Sequence, residues 1–331
     1  MAEAFSTDAL FIVAGLGLLI LGAELLVRGA VDAAARIGLS TLFIGLVLVS
    51  LATSAPELVT SVQAALRDSP GIAIGNIVGS NIANILLILG LSALIMPVGV
   101  HSNALRRDGL LVLATAVALA GVALLLPLDR VVGTAFVASL ALYVAYAWYQ
   151  EGTAAPNGHT AAYEKAEAYE ELHPRRPVMG NAWGVILALG VALAGLAIIV
   201  TGGNMLVDGA IGIAERYGVS QAVIGLTIVA VGTSLPELVT SAVAAARGHA
   251  DVAIGNIMGS NIYNVLGIGG VTALISPTVV PDEIARFDNF VMIAASVALL
   301  VFARTGLTIH RWEGAALLGG YGAYLWVLWS A

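Results

Sequence analysis

The chain has 331 residues, of which 59% are hydrophobic and only 11% charged, and its mean hydropathy is +0.96. Soluble domains carry about 25% charged residues, so this chain lacks the polar surface of a water-soluble globule, and a soluble enzyme or a disordered scaffold is excluded. Fourteen Lys and Arg against 21 Asp and Glu give a net charge of −7, which offers no partner surface to nucleic acid, and the absence of cysteine removes disulfides, thiolate metal sites and a thiol nucleophile.

What remains is an all-α integral membrane protein. A spanning helix takes about 20 mostly apolar residues. Breaks at charges, prolines and polar clusters predict ten transmembrane helices, near 8–29, 41–66, 72–96, 106–127, 130–150, 180–208, 220–246, 252–276, 286–304 and 310–330. The apolar runs are continuous and do not alternate, which excludes a β-barrel. The N-terminal MAEAFSTDAL lacks the basic stretch of a secretory signal, so the first span is expected to be retained. The polar segment 151–178 splits the spans five and five and reads as a linker or short surface helix. Lys and Arg accumulate on the cytoplasmic side. With the N-terminus outside, ten basic residues fall inside and four (Arg67, Arg130, Arg216 and Arg286) outside. The expected placement is therefore a multi-pass protein of the plasma (inner) membrane, both termini outside and the loop 151–178 cytoplasmic.

The two halves are copies. Residues 53–90 align with 233–270 at a constant offset of 180 without a gap, and 24 of the 38 positions are identical. The likeness reaches upstream, where GAELLVRGAVDAAARIGLS from Gly22 matches GGNMLVDGAIGIAERYGVS from Gly202. Residues 1–150 form the first five-helix repeat and 179–331 the second. An odd number of spans makes the second copy enter from the opposite face, which is an inverted-topology repeat of the kind secondary transporters use. Arg67 falls outside and its mate Arg247 inside, in keeping with that inversion.

Two acidic residues lie deep in predicted spans: Glu57 in the second and Glu237 in the seventh, at matching positions of the repeat. A charge at mid-membrane costs roughly 3 kcal/mol or more, so it is kept where it has a partner or a polar cavity. Neighbouring Ser, Thr and Asn could satisfy one such glutamate, but a matched pair argues for a site. Each follows a proline, Pro56 or Pro236, which frees helix carbonyls as ligands. Thr53 and Glu57, like Thr233 and Glu237, are one turn apart on one face, with Ser54 and Ser234 beside them. The next spans carry GNIVGSNIANI at 75–85 and GNIMGSNIYNV at 255–265. Ser80 with Asn84, and Ser260 with Asn264, are read as lining a cavity. Asn81 and Asn261 are read as braces, and Gly75, Gly79, Gly255, Gly259, Asn76 and Asn256 as helix packing. Two carboxylates among many neutral oxygens, without His or Cys, suit a hard cation. Ca²⁺ takes six to eight oxygens in a forgiving geometry, and the same oxygens could host several Na⁺.

At these residues the chain resembles the calcium/cation antiporter superfamily. TSAPELVTS and TSLPELVTS, with GNIVGSNIANI and GNIMGSNIYNV, look like its two α-repeats, most similar to those of the prokaryotic sodium/calcium exchangers. The resemblance implies ten helices in two inverted halves, with ions bound between spans 2, 3, 7 and 8. It implies that Glu57 and Glu237 hold Ca²⁺, aided by Thr53 and Thr233. It implies that Ser54, Ser80, Ser234 and Ser260 help bind Na⁺ with the carbonyls near Ser50 and Ala230, and that Asn84 and Asn264 flank the centre. Some relatives carry Asp where this chain has Asn264, which makes K⁺ co-transport less expected. No large calcium-sensing insert stands in 151–178.

The function expected is antiport of Na⁺ against Ca²⁺ by alternating access, with spans 1 and 6 sliding. Their glycines (Gly15, Gly17, Gly22, Gly195, Gly202 and Gly203) serve that sliding or ordinary packing equally well. Three Na⁺ for one Ca²⁺, as the resemblance implies, moves one net charge per cycle, worth about 2.3 kcal/mol per 100 mV. No enzyme activity and no cofactor is expected; the partners are the lipid bilayer and the two ions, and a monomer is compatible with such a site. The rivals are a Ca²⁺/H⁺ antiporter, a cation channel and, more weakly, an intramembrane protease, which would need a Ser/His pair or HExxH that the spans lack.

Overall fold

A computed structural model describes residues 2–37, 50–100, 105–151, 182–246 and 250–330. The linker 151–178 past Glu151, the first part of the predicted span 41–66, and Arg247 lie outside the described residues. The helices are α1 (Ala2–Arg36), α2 (Ser50–Thr53), α3 (Ala55–Leu66), α4 (Pro70–Ile95), α5 (Arg107–Leu125) and α6 (Arg130–Glu151) in the first half. The second half holds α7 (Ala182–Tyr217), α8 (Gln221–Thr233), α9 (Leu235–Ala246), α10 (Ala253–Ile275), α11 (Ile284–Arg304) and α12 (Arg311–Ser330). Among the described residues seven helices are long and apolar enough to cross a membrane, and α8 with α9 make an eighth as one span bent by 49°. Of the other two predicted spans, the second is seen only in part, as α2 and α3, and the tenth is the 20-residue α12.

Burial sorts these helices. Most of α4 and α10 is enclosed, 83% and 89% of their apolar stretch, against 22% for α7. The largest apolar core forms around them, with Ile77, Ile82, Ile85, Ile262, Tyr263 and Leu266. Outward-facing Leu, Ile and Val on α1, α5 and α7 are lipid-facing surface, and Trp312, Trp326 and Trp329 stand exposed near the two ends of α12, where membrane interfaces collect aromatics.

α1 and α7 are 35 and 36 residues long. At 1.5 Å per residue that is about 50 Å, well beyond the roughly 30 Å of hydrocarbon. They pack antiparallel: Gly15 abuts Gly202 and Leu206, Gly22 abuts Gly195 and Ile199, and Gly29 abuts Ala188 and Ala192. Spans 1 and 6 occupy matching places in the repeat, so their opposite directions are what inverted halves require. A methyl group on Gly22 would sit 2.8 Å from the Gly195 carbonyl, so the glycines are what lets the two backbones meet. Gly17 faces open space and takes no part in this seam, while Gly203 faces Val59 of α3. Arg67, just past α3, ties α7 to the core, bonding Asn204 Oδ1 at 2.7 Å and Asp208 at 3.1 Å.

The links between helices repeat the symmetry. Val98–Gly99 (β1) pairs antiparallel with Thr308–Ile309 (β2), and Leu128 bridges Thr278. In both cases the link after the third span of one half pairs with the link after the fourth span of the other.

Candidate functional site: a cation site between two broken helices

Both glutamates sit just past a break in their helix. Pro56 and Pro236 have no N–H to give the preceding turn, and Ser54 and Ser234 leave helical geometry there, at φ/ψ of −89°/8° and −84°/8°. The chain restarts the same way in each half, with Leu58 N bonding Ser54 O and Leu238 N bonding Ser234 O, both at 3.0 Å. Proline in the first turn of α3 and α9 is tolerated because that N–H has no helical acceptor. The break therefore carries Glu57 and Glu237 into the interior, where they are 2% and 3% exposed.

Hydroxyls meet them there. Ser234 Oγ donates to Glu57 Oε1 at 3.3 Å across the two halves, and Ser260 Oγ donates to Glu237 Oε1 at 3.5 Å within the second half. The Ala230 carbonyl accepts from Ser80 Oγ and from Thr233 Oγ1, each at 3.4 Å. Ser54, Ser80, Thr233, Ser234 and Ser260 are all buried, and Thr53 is half-buried at the end of α2. Ser50 is the first residue of α2, three before Thr53.

The asparagines divide into two roles. Asn81 Nδ2 bonds Ile77 O at 2.7 Å, and Asn261 reaches across to Asn81 O at 3.4 Å while accepting from Asn84 Nδ2 at 2.9 Å. These tie α4 to α10. Asn264 is 1% exposed, yet neither its amide nitrogen nor its amide oxygen has a hydrogen-bond partner among the described residues, and Asn84 Oδ1 also lacks one. A buried amide left unpaired costs about 1–3 kcal/mol, so Asn84 and Asn264 hold unmet polar atoms in the interior. Both lie within π-type turns of their helices, Asn84–Leu89 and Tyr263–Gly269, a distortion common where helices carry function.

Two features escaped the sequence. Glu57 and Glu237 are not the only deep acids: Asp108 and Asp288, again 180 apart, are 0% and 2% exposed. They stand at the ends of predicted spans, which is where a sequence reading expects solvated charge. Asp108 is neutralised by Arg107, at 3.0 and 2.9 Å, and accepts from Tyr143 at 3.4 Å; Asp288 accepts from Tyr324 at 2.8 Å. These bonds pin α5 to α6 and α11 to α12. Glu313 is buried as well, closing the start of α12 by accepting from His310 N and Thr305 Oγ1. The offset of 180 that exposed Glu57 and Glu237 would have found the aspartates. The second feature is Asn76 and Asn256, read as packing residues. Each donates to the oxygen of a serine, Ser61 or Ser241, at 2.9 Å and to the backbone carbonyl of Glu57 or Glu237, at 3.2 and 3.5 Å.

The site is thus two buried carboxylates, at matching positions, surrounded by hydroxyl, amide and carbonyl oxygens. Among the described residues no group of three His, Cys, Asp or Glu gathers, so any ion held here is bound mainly by neutral oxygens. Comparison with known proteins agrees with that chemistry. The sequence model of the sodium/calcium exchanger protein family matches residues 7–150 and again 187–330. Sodium/calcium exchanger MaX1 of Methanosarcina acetivorans is 36% identical over 369 aligned positions, covering 98% of this chain and 99% of its own. Inner membrane protein YrbG of Escherichia coli is 35% identical over 320, covering 96% and 95%. The solved structure of the sodium-calcium exchanger NCX_Mj soaked with 10 mM Na⁺ and zero Ca²⁺ is similar at a TM-score of 0.61 and 30% identity, over 96% of this chain and 97% of that one. The chain belongs to the sodium/calcium exchanger family, a family of multi-pass membrane antiporters and not of enzymes.

Proposed function

We propose that this chain exchanges Na⁺ for Ca²⁺ across the cytoplasmic (inner) membrane by alternating access. The observation that carries the reading is the matched pair Glu57 and Glu237, buried in the interior and each bonded to a serine hydroxyl of the same site. Two carboxylates balance one Ca²⁺ in charge, while a set of neutral oxygens suits Na⁺. Ca²⁺ sits between Glu57 and Glu237 with Thr53 and Thr233. Na⁺ takes Ser54, Ser80, Ser234 and Ser260 with the carbonyls of Ser50 and Ala230, and Asn84 and Asn264 flank the centre. Occupancy by one ion excludes the other because they share carboxylate oxygens, and that competition is the coupling. The working halves are 1–150 and 179–331, joined by the cytoplasmic linker 151–178, with both termini outside.

Purified protein in proteoliposomes, with membrane potential clamped, tests this. An outward Na⁺ gradient drives Ca²⁺ uptake, and an imposed potential changes its rate. Uptake driven by a pH gradient alone would make the protein a Ca²⁺/H⁺ antiporter instead. Flux that needs no counter-ion would make it a channel.

Asn264→Asp gives a separate check. It adds a third carboxylate beside two, so the site binds Ca²⁺ more tightly at high pH and loses that gain as pH falls and the new acid is protonated. The measurement is half-saturating Ca²⁺ from pH 6 to 9. Identical curves for wild type and variant remove Asn264 from the site.

A further inference from the structure

Asn76 uses its whole side chain on the two broken helices. It is fully buried on α4. Its Nδ2 donates to α3, at the Glu57 carbonyl (3.2 Å) and Ser61 Oγ (2.9 Å), and its Oδ1 accepts from Thr233 Oγ1 of the other half at 3.0 Å. One carboxamide therefore holds the turn that carries Glu57 and a hydroxyl of the opposite repeat.

The consequence lies in the proton of Thr233. A hydroxyl has one proton and two acceptor lone pairs, and it serves a cation only through a lone pair. Thr233 Oγ1 has two acceptors within reach: Asn76 Oδ1 at 3.0 Å and the Ala230 carbonyl at 3.4 Å. The Ala230 carbonyl also accepts from Ser234 N at 3.1 Å and from Ser80 Oγ at 3.4 Å, so Asn76 Oδ1 is the nearer and less crowded acceptor. A proton sent to Asn76 turns the lone pairs of Thr233 away from Asn76. We infer that Asn76 is a positioning residue for exchange: by accepting the Thr233 proton it sets Thr233 Oγ1 as a cation ligand. Outer groups that orient ligating side chains are a general device of ion sites. The affected ion is Ca²⁺ above all, because Thr233 is assigned to Ca²⁺ together with the two glutamates. The inference rests on the exchange reading given above.

The experiment is a double-mutant cycle in proteoliposomes with Asn76→Ala, Thr233→Val and both together, reading half-saturating Ca²⁺ and maximal rate of Na⁺-driven Ca²⁺ flux. Each single change raises half-saturating Ca²⁺ about fivefold, the loss expected for one hydrogen bond. The double variant is no worse than the worse single one, because both act through one proton. A packing role for Asn76 would lower maximal rate and melting temperature and leave half-saturating Ca²⁺ alone, and that result overturns the inference. So does additivity in the double variant. Should Asn76→Ala fail to fold, Thr233→Val still decides: it removes only the hydroxyl Asn76 orients, and unchanged half-saturating Ca²⁺ overturns the inference. Absence of exchange in the wild type would strike the function reading itself, whereas normal wild-type exchange with unaffected variants strikes only the role of Asn76.

Discussion

Glu57→Gln and Glu237→Gln each abolish Ca²⁺ exchange while the protein still inserts and purifies as the wild type does. Glutamine keeps the shape of the side chain and its ability to accept from Ser234 or Ser260, so packing at these buried positions is preserved. What is lost is half the negative charge facing a divalent ion. Removing one partner from a buried charge pair costs about 3–5 kcal/mol, which is more than ~100-fold in affinity. Stability moves the other way. Without ions, a carboxylate in the interior is a burden, so each variant melts at or above the wild-type temperature in ion-free detergent, and Ca²⁺ no longer raises it. Calorimetric Ca²⁺ binding and thermal melting, with and without Ca²⁺, read both effects. Wild-type Ca²⁺ affinity in either variant would falsify the assignment of the two glutamates.

Gly22→Val disables transport by a different route. Its new side chain meets the Gly195 carbonyl and Ile199, starting with a Cβ only 2.8 Å from each. The obstacles are mostly backbone, which cannot turn aside as a side chain can, so α1 and α7 must part. Overpacking of this kind costs about 1–3 kcal/mol. The expected outcome is a drop of at least tenfold in Na⁺-driven Ca²⁺ flux, with a lowered melting temperature. Gly17→Val is the control. It lies five residues earlier on the same helix, with nothing within 4 Å of its Cβ position, and its flux stays near wild type. Equal flux in the two valine variants would mean that the seam is passive.

Much of this architecture is legible in the chain because one pattern is written twice. Glu57 and Glu237 stand out from sequence through their spacing and their prolines, and Ser80, Ser234 and Ser260 follow from position on the same helices. The structure adds which oxygen each serine serves, and here the copies differ. Ser260 turns to its own glutamate, whereas Ser80 turns to the Ala230 carbonyl. Identical sequence on either side of the repeat could not have foretold that. The overshoot of α1 and α7 past the membrane was hidden by their polar C-terminal turns, such as VDAAAR and IGIAERY, which read as loop in hydropathy but continue as helix. Arg216 and Asp8 close part of this extension, paired at 2.9 Å. Asn76 was missed for a reason of chemistry. Next to glycine on an apolar helix, an asparagine that packs and one that aims a proton look alike until its three bonds are seen.

Along the glycine seam each patch touches the counterpart of itself. Gly15 meets Gly202 and Gly22 meets Gly195, four residues that form two pairs 180 apart. Gly29 meets Ala188 and Ala192, while Gly209 meets Asp8 and Ile12, again with every partner displaced by 180. In an oligomer that reciprocity defines an isologous interface between identical subunits. Two separate five-span chains of one sequence, inserted in opposite senses, would meet on this same surface without a single new contact. Joining them in one polypeptide removes the demand that both copies stay alike. The pairs Arg107–Asp108 and Phe287–Asp288, one neutralised by its neighbour and the other not, show that freedom already in use.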